Sequence, residues 1–259
     1  MGDLVFYFSG TGNSLRAAEK ICEGIGDCEL VSIADAVLQG RYEFKGRRAG
    51  FIFPLYYLGL PKIVQEFINK LELKETDYTY TVITRGWPLV GGAIRQMKRL
   101  LRIKGMRLDM GAYIHMPMND FTLANVPEPH KQKKILGTFS TQVDRIINLI
   151  SLNRKKFDFE PIAFMLDKRN KPFIERVNTL DRYYSVNENC TGCNICADVC
   201  SVGNIELVDG NPEWKSKCEM CLACFHYCPQ KAICYNGKCT EVYRYHHPDI
   251  NIRRKIMGK

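Results

Sequence analysis

Cys190-Thr191-Gly192-Cys193-Asn194-Ile195-Cys196-Ala197-Asp198-Val199-Cys200 is followed, 28 positions later, by Cys218-Glu219-Met220-Cys221-Leu222-Ala223-Cys224-Phe225-His226-Tyr227-Cys228-Pro229. The spacing C-x-x-C-x-x-C-x-x-x-C occurs twice, and Ile205 and Ile233 match at the same offset, so the region is an internal duplication. Three thiolates at two-residue gaps wrap a loop around three corners of an iron–sulfur cube. The fourth Cys starts a helix that points away and reaches the other cube. This reading groups Cys190, Cys193, Cys196 and Cys228 around one 4Fe-4S cluster. It groups Cys218, Cys221, Cys224 and Cys200 around a second. Structural zinc is the rival, although zinc sites normally use two ligand pairs rather than two triplets each followed by a fourth Cys. A disulfide framework is the other rival, and it would imply secretion.

The cysteine-rich region resembles the bacterial two-cluster ferredoxin domain from residue 183 to about 240. Ser201 stands where that family usually has Pro after the fourth Cys; Pro229 keeps the pattern in the second unit. His226 lies between two ligand positions and reads as a surface residue. Cys22, Cys28, Cys234 and Cys239 fall outside the pattern and read as small buried hydrophobes.

Upstream, the chain alternates apolar runs with amphipathic stretches. Strands are expected at Leu4–Phe8, Glu29–Ile33, Gly50–Phe53, Tyr78–Thr84 and Leu108–Ile114. Helices are expected at 13–25, from Pro61, at 92–104, and as one long helix from about 128 to 152. Strands alternating with helices predict a parallel sheet covered on both faces. Residues 156–182 show no sustained period, contain Pro161 and Pro172, and read as a linker. The tail after Tyr243, with Arg244, Arg253, Arg254, Lys255 and Lys259, reads as solvated charge.

Between the first strand and first helix lies Phe8-Ser9-Gly10-Thr11-Gly12-Asn13-Ser14. Backbone N–H groups at a helix start, with small hydroxyl side chains around them, make a phosphate cradle. The same residues would also serve as plain turn and cap residues. The segment is neither a Walker A motif nor G-x-G-x-x-G. It resembles the flavodoxin phosphate loop, roughly Thr/Ser-x-Thr-Gly-Asn-Ser/Thr, through Ser9, Thr11, Gly12, Asn13 and Ser14. That resemblance implies bound FMN. In doubly wound sheets ligands bind beyond the carboxyl ends of the strands. The segments after the third and fourth strands are therefore the expected ring contacts: Pro54, Tyr56, Tyr57 and Gly59, then Arg85, Gly86, Trp87 and Gly91.

The whole order resembles the fused flavodoxin–ferredoxin proteins. It implies a flavodoxin-like doubly wound five-stranded parallel sheet, order 2-1-3-4-5, over residues 1–155. A linker at 156–182, a small α+β two-cluster ferredoxin domain at 183–243 and a basic tail at 244–259 follow. The expected cofactors are FMN and two 4Fe-4S clusters. The expected function is electron transfer between them. A flavin-dependent reductase of a small substrate and a non-redox module stapled by the clusters are the alternatives.

The 259 residues are 46% hydrophobic and 25% charged, which excludes disorder and collagen. No apolar run reaches the roughly 18 residues of a membrane span. No basic stretch precedes the first apolar run, so a secretory leader is not expected and the chain reads as cytoplasmic. Net charge is +9, unlike the acidic balance usual in flavodoxins. The expected partners are redox proteins, acidic ones included, and not nucleic acid. No catalytic side chain is assigned, and the oligomeric state is not encoded in any motif.

Overall fold

Residues 2–87, 91–160, 163–239 and 241–257 are described by the structure, a computed structural model, with Asp167 described in its backbone only. Pro161 and Lys259, both named in the sequence reading, lie outside the described residues, as do residues 88–90 between Trp87 and Gly91. The N-terminal half is built on six parallel strands: β1 (Asp3–Tyr7), β2 (Cys28–Ser32), β3 (Arg48–Pro54), β4 (Tyr78–Arg85), β5 (Met110–His115) and β6 (Lys156–Phe157). Their spatial order is β2-β1-β3-β4-β5-β6. The first five reproduce the flavodoxin-like order 2-1-3-4-5, and β6 adds a two-residue edge beside Met110 and Gly111.

Every residue of β1 is buried. Successive side chains on a strand point to opposite faces. Leu4 and Phe6 accordingly enter one core with Phe51, Phe67 and Leu101, while Val5 and Tyr7 enter the other with Leu15, Ile21, Val143 and Ile146. Helices α1 (Asn13–Ile25) and α6 (Phe139–Ser151) cover the second face. Helices α2 (Ile33–Gln39), α3 (Lys62–Lys70) and α4 (Ala93–Ile103) cover the first.

The expected long helix from about 128 to 152 is corrected. It is two helices, α5 (Pro129–Leu136) and α6, separated at Gly137 and Thr138. α5 buries no residue, whereas α6 buries Phe139, Val143, Ile146 and Ile150. With no apolar face to hold the first part in line, Gly137 ends it. Residues 156–182 are also more regular than their composition implied. They contain α7 (Ala163–Arg176) and a 3-10 turn over Val177–Tyr183. Pro172 and the many charges hid that helix, whose buried contacts are few but specific (Leu166, Asn170 and Phe173).

The C-terminal half is small and α+β. Helices α8 (Ile195–Asp198) and α9 (Ala223–Tyr227) contain the third cysteine of each unit and end before the fourth, so Cys200 and Cys228 close a helix rather than start one as expected. The residues before the two helices, Asn194 and Leu222, are 28 apart and share left-handed backbone, φ 65° and 62°. Strands β7 (Tyr184–Val186) and β10 (Ile233–Tyr235) pair antiparallel, as do β8 (Ile205–Val208) and β9 (Asn211–Trp214). The chain ends with α10 (Ile252–Met257). Among the described residues no helix is long and apolar enough to cross a membrane.

Two disulfides correct the reading of the four unmatched cysteines. Cys22 pairs with Cys28 across the α1–β2 turn, and Cys234 pairs with Cys239 across the turn after β10.

At the start of β1 and β3, Asp3 and Arg48 form a buried ion pair, 1% and 7% exposed, with Arg48 Nε donating at 2.6 Å. Arg48 also donates to the Ile150 carbonyl of α6 at 3.1 Å. Removing one partner of such a pair strands the other charge in the interior. Asp3→Ala is therefore expected to cost about 3–5 kcal/mol, read as a lower denaturation midpoint at unchanged slope. A loss below about 1 kcal/mol would show the pair to be dispensable.

Candidate functional site

A cavity of about 450 Å³ opens beyond the carboxyl ends of β1, β3, β4 and β5. Ser9, Thr11, Asn13, Ser14, Pro54, Tyr56, Tyr57, Arg85, Gly86 and Trp87 line it, as does Gly10. Three of the expected positions face elsewhere. Gly12 packs on Ile250, Gly59 on Gln96 and Asn170, and Gly91 on the backbone of Leu58. Gly12 still shapes the loop, because φ 95° there turns the chain into α1.

The start of α1 has no side-chain cap. Its first N–H groups, which no helix can satisfy internally, are thus open to a ligand. Ser9 Oγ accepts from the Gly12 N–H at 3.2 Å, and Ser14 Oγ shares a hydrogen bond with Thr84 Oγ1 at 2.7 Å. Asn13 is fixed on both sides: it donates to the Pro117 carbonyl at 3.0 Å and accepts from Tyr245 Oη at 2.6 Å. Small donors around an uncapped helix start fit a phosphate. The walls beyond are aromatic and apolar, with Tyr57 stacked on Phe173 at 4.1 Å, and fit a flat ring.

The loop after β5 was missed by the sequence reading. Met116, Pro117, Met118, Asn119, Asp120 and Leu123 line the cavity, as do Arg169 and Phe173 of α7. The rule that ligands lie beyond the strand ends could have flagged 116–120, although no motif marks it. Trp87 lines the cavity but is 53% exposed; Arg85 donates to its carbonyl at 2.7 Å and lies over the Tyr113 ring.

The eight motif cysteines gather in two groups. Cys190, Cys193, Cys196 and Cys228 surround one small cavity, and Cys200, Cys218, Cys221 and Cys224 surround another. Among the described residues, no three or more His, Cys, Asp or Glu side chains converge to hold a single metal ion. Each set encloses a space, which suits a polynuclear cluster. Backbone N–H groups donate to sulfur at equivalent places in the repeat, Asn204 to Cys200 and Ala232 to Cys228, both at 3.2 Å. Met220 donates to Cys218 at the same distance. Burial pushes the Cys196 and Cys221 thiols up to about 11, so thiolate at these positions calls for the charge of a metal.

The two regions share a wall. Leu222 lines both the large cavity and the one enclosed by Cys200, Cys218, Cys221 and Cys224, and Met220 also lines the large cavity. A Cβ at Gly10 would collide with the Cys221 carbonyl. Asn119 accepts from His226 Nε2 at 2.8 Å, and Phe121 stacks on Phe225 at 4.1 Å. His226 is 3% exposed, which corrects its reading as a surface residue. Its Nδ1 accepts from the Tyr245 N–H at 3.1 Å, so the neutral ring carries its proton on Nε2.

The tail is only partly solvated: Arg253 and Arg254 are exposed, but other residues turn inward. Tyr245 and Ile250 are buried, and the His247 N–H donates to the Thr11 carbonyl at 2.8 Å. Arg16 and Glu19 of α1 pair with Asp249 and Arg254. The segment wraps the phosphate-type loop from outside.

Residues 174–233 match the 4Fe-4S dicluster domain family. No curated protein matches the chain. Among solved structures, similarity is to a putative flavoprotein from Bacteroides uniformis, 17% identical, covering 44% of this chain and 90% of that one, TM-score 0.36. A flavodoxin from the domain Archaea is 18% identical over 56% and 99%, TM-score 0.34. An azoreductase from Bacillus anthracis is 10% identical over 59% and 100%, TM-score 0.38. The chain therefore joins a flavodoxin-like α/β half, read from its own strand order, to an iron–sulfur domain of the ferredoxin type.

Burial, ahead of the nearby charges, pushes His247 down to about 4. In the unfolded chain the ring takes up its proton near 6.5. The stability tied to a neutral His247 is thus complete above pH 6.5 and is lost as pH falls toward 4. His226, pushed down to about 3 by burial, acts in the same direction. The unfolding midpoint is expected to drop between pH 7 and pH 5, by up to about 1.4 kcal/mol per pH unit per group. His247→Gln should flatten part of that slope; parallel slopes in parent and variant would exclude a role for this ring.

Proposed function

We propose that the chain is an electron-transfer iron–sulfur flavoprotein. In this reading the set Cys190, Cys193, Cys196 and Cys228 holds one 4Fe-4S cluster and the set Cys200, Cys218, Cys221 and Cys224 holds a second. The large cavity holds FMN, with its phosphate against Ser9, Thr11, Asn13 and Ser14. The observation that carries the reading is the shared wall: Leu222 belongs at once to the cavity beyond the sheet and to the second thiol set. When bound, such clusters carry single electrons and a flavin converts between one-electron and two-electron chemistry.

The residues present support the rest. Leu222, Met220 and Tyr56 fill the boundary between the two regions with apolar and aromatic atoms, which keeps water out. Tyr56 is half-buried, and burial of its hydroxyl first, then Cys221 and Glu219, push its phenol well above the usual range, so it stays neutral at any working pH. The N–H groups of Asn204, Met220 and Ala232 stabilise negative charge on sulfur. Cys193 is the exposed member of its set. A partner protein therefore comes closest to sulfur at the first set, while the second faces the flavin cavity.

Anaerobic purification followed by metal, sulfide and flavin counts tests the assignment. About eight iron atoms, from two four-iron clusters, and about one FMN per chain are expected. Stoichiometric zinc without iron, or a bound dinucleotide flavin, would overturn it. Rapid mixing with a substoichiometric reductant tests the internal route. Flavin bleaching at a rate independent of protein concentration is expected, and a rate proportional to concentration would mean transfer between molecules.

A further inference from the structure

The C-terminal helix delivers an ammonium group into the interior. Lys255 is 1% exposed, and its Nζ donates to the Ser9 carbonyl at 2.9 Å and to Ser201 Oγ at 2.6 Å. Ser9 begins the phosphate-type loop. Ser201 follows Cys200, a member of the second thiol set. Gly10, the next residue of that loop, lies against the Cys221 backbone, so the ammonium sits where the loop meets the second thiol set. Three segments distant in sequence thus meet on one cation.

Ser201 explains part of this arrangement. It stands where the duplicated unit has Pro229 and where two-cluster ferredoxins usually have Pro. Proline carries no hydroxyl, so the departure at this position supplies the second acceptor for the lysine. The substitution, the buried cation and the docking of the tail belong together.

We infer that Lys255 is a positioning residue that pins the Cys200 turn to the phosphate-type loop and holds the reduction potential of the adjacent cluster above the value it would have without the ammonium. This rests on the proposed two-cluster reading. The physical reason is Coulombic. Reduction adds one electron to the centre held by Cys200, Cys218, Cys221 and Cys224, and a fixed positive charge in a poorly screened interior favours the added electron. Among the described residues, no lysine hydrogen bond at Pro229 matches the one at Ser201, so the Cys190 set serves as the internal control.

The test is Lys255→Gln in the full-length chain, with iron and sulfide counted first and both midpoints then measured by EPR-monitored titration with dithionite. Unchanged iron is expected, with one midpoint lowered so that the reduced-to-oxidised ratio at fixed ambient potential falls at least about tenfold, about 59 mV for one electron. The other midpoint should stay, and Lys255→Arg should restore the first. An iron-replete variant in which neither midpoint moves, or both move equally, overturns the inference. An iron-free parent protein instead overturns the two-cluster reading, and the inference with it. Should Lys255→Gln fail to fold, Ser201→Asp keeps the lysine and sets a negative charge beside it. It must lower the same midpoint, and no change there would equally overturn the inference.

Discussion

The close approach of residue 10 to residue 221 governs the arrangement of both halves. The Cys221 carbonyl occupies the space where a side chain at position 10 would begin, so only glycine permits the contact. Once it is made, the cysteine loop becomes a wall of the cavity beyond the sheet, and Leu222 and Met220 reach it. The loop after β5 then meets α9, through Asn119 and His226 and through Phe121 and Phe225. Two domain types that elsewhere stand alone here share one apolar cluster, which contains Phe121, Phe173, Met220, Leu222 and Phe225 and receives Tyr56 and Tyr57.

The duplicated cysteine units have equivalent backbones but unequal surroundings. Asn194 and Leu222 share a left-handed turn, and Cys200 and Cys228 each accept an N–H from the residue four positions on. The second unit nonetheless lies against the flavodoxin-like half and is the more buried: Cys218 and Cys224 are each 8% exposed, whereas Cys193 is an exposed residue. The symmetry is local, set by chain geometry, and tertiary packing breaks it. One unit faces solvent and the other faces the interior cavity, which gives the pair a direction.

Much of this was legible in the sequence wherever one short stretch carries its own constraint. The strands of a parallel sheet are buried on both faces, so Leu4–Phe8 and Tyr78–Thr84 stood out as apolar runs close to their observed limits. Helix α1 runs from Asn13 to Ile25 as its apolar spacing implied, between Gly12 and Gly26. The cysteine spacing carries its grouping within it, and the structure brings those same groups together. The rest depends on distant partners. α7 is a charged helix with an internal proline, ordered through Asn170, which donates to the Tyr56 carbonyl at 2.9 Å. Nothing local marks that bond. The pairing of Cys22 with Cys28, the cavity face of 116–120 and the burial of His226 are likewise properties of the folded chain.

The basic balance of the chain shows how a charge count misleads when it is read as surface. A net +9 pointed outward, to an acidic partner, and the tail looked like part of that exterior. Two of its cations, Arg244 and Lys255, instead point inward. Arg244 donates to the carbonyls of Phe225, Lys231, Ile233 and Cys239 and lies over the Phe225 ring at 3.3 Å. Burial pulls its guanidinium down to about 10, while Cys228 and Cys224 push it back. Lys255 does comparable work at the second set. In the proposed reading, thiolate-ligated iron would carry net negative charge, and burying it beside a dianionic phosphate would be costly unless cations lay close by. The flavodoxin-like loop contains no basic side chain. Positive charge beside that loop and the neighbouring thiols comes from the C-terminal tail, where Lys255 donates to Ser9 and Ser201 and Arg244 to the Phe225 carbonyl.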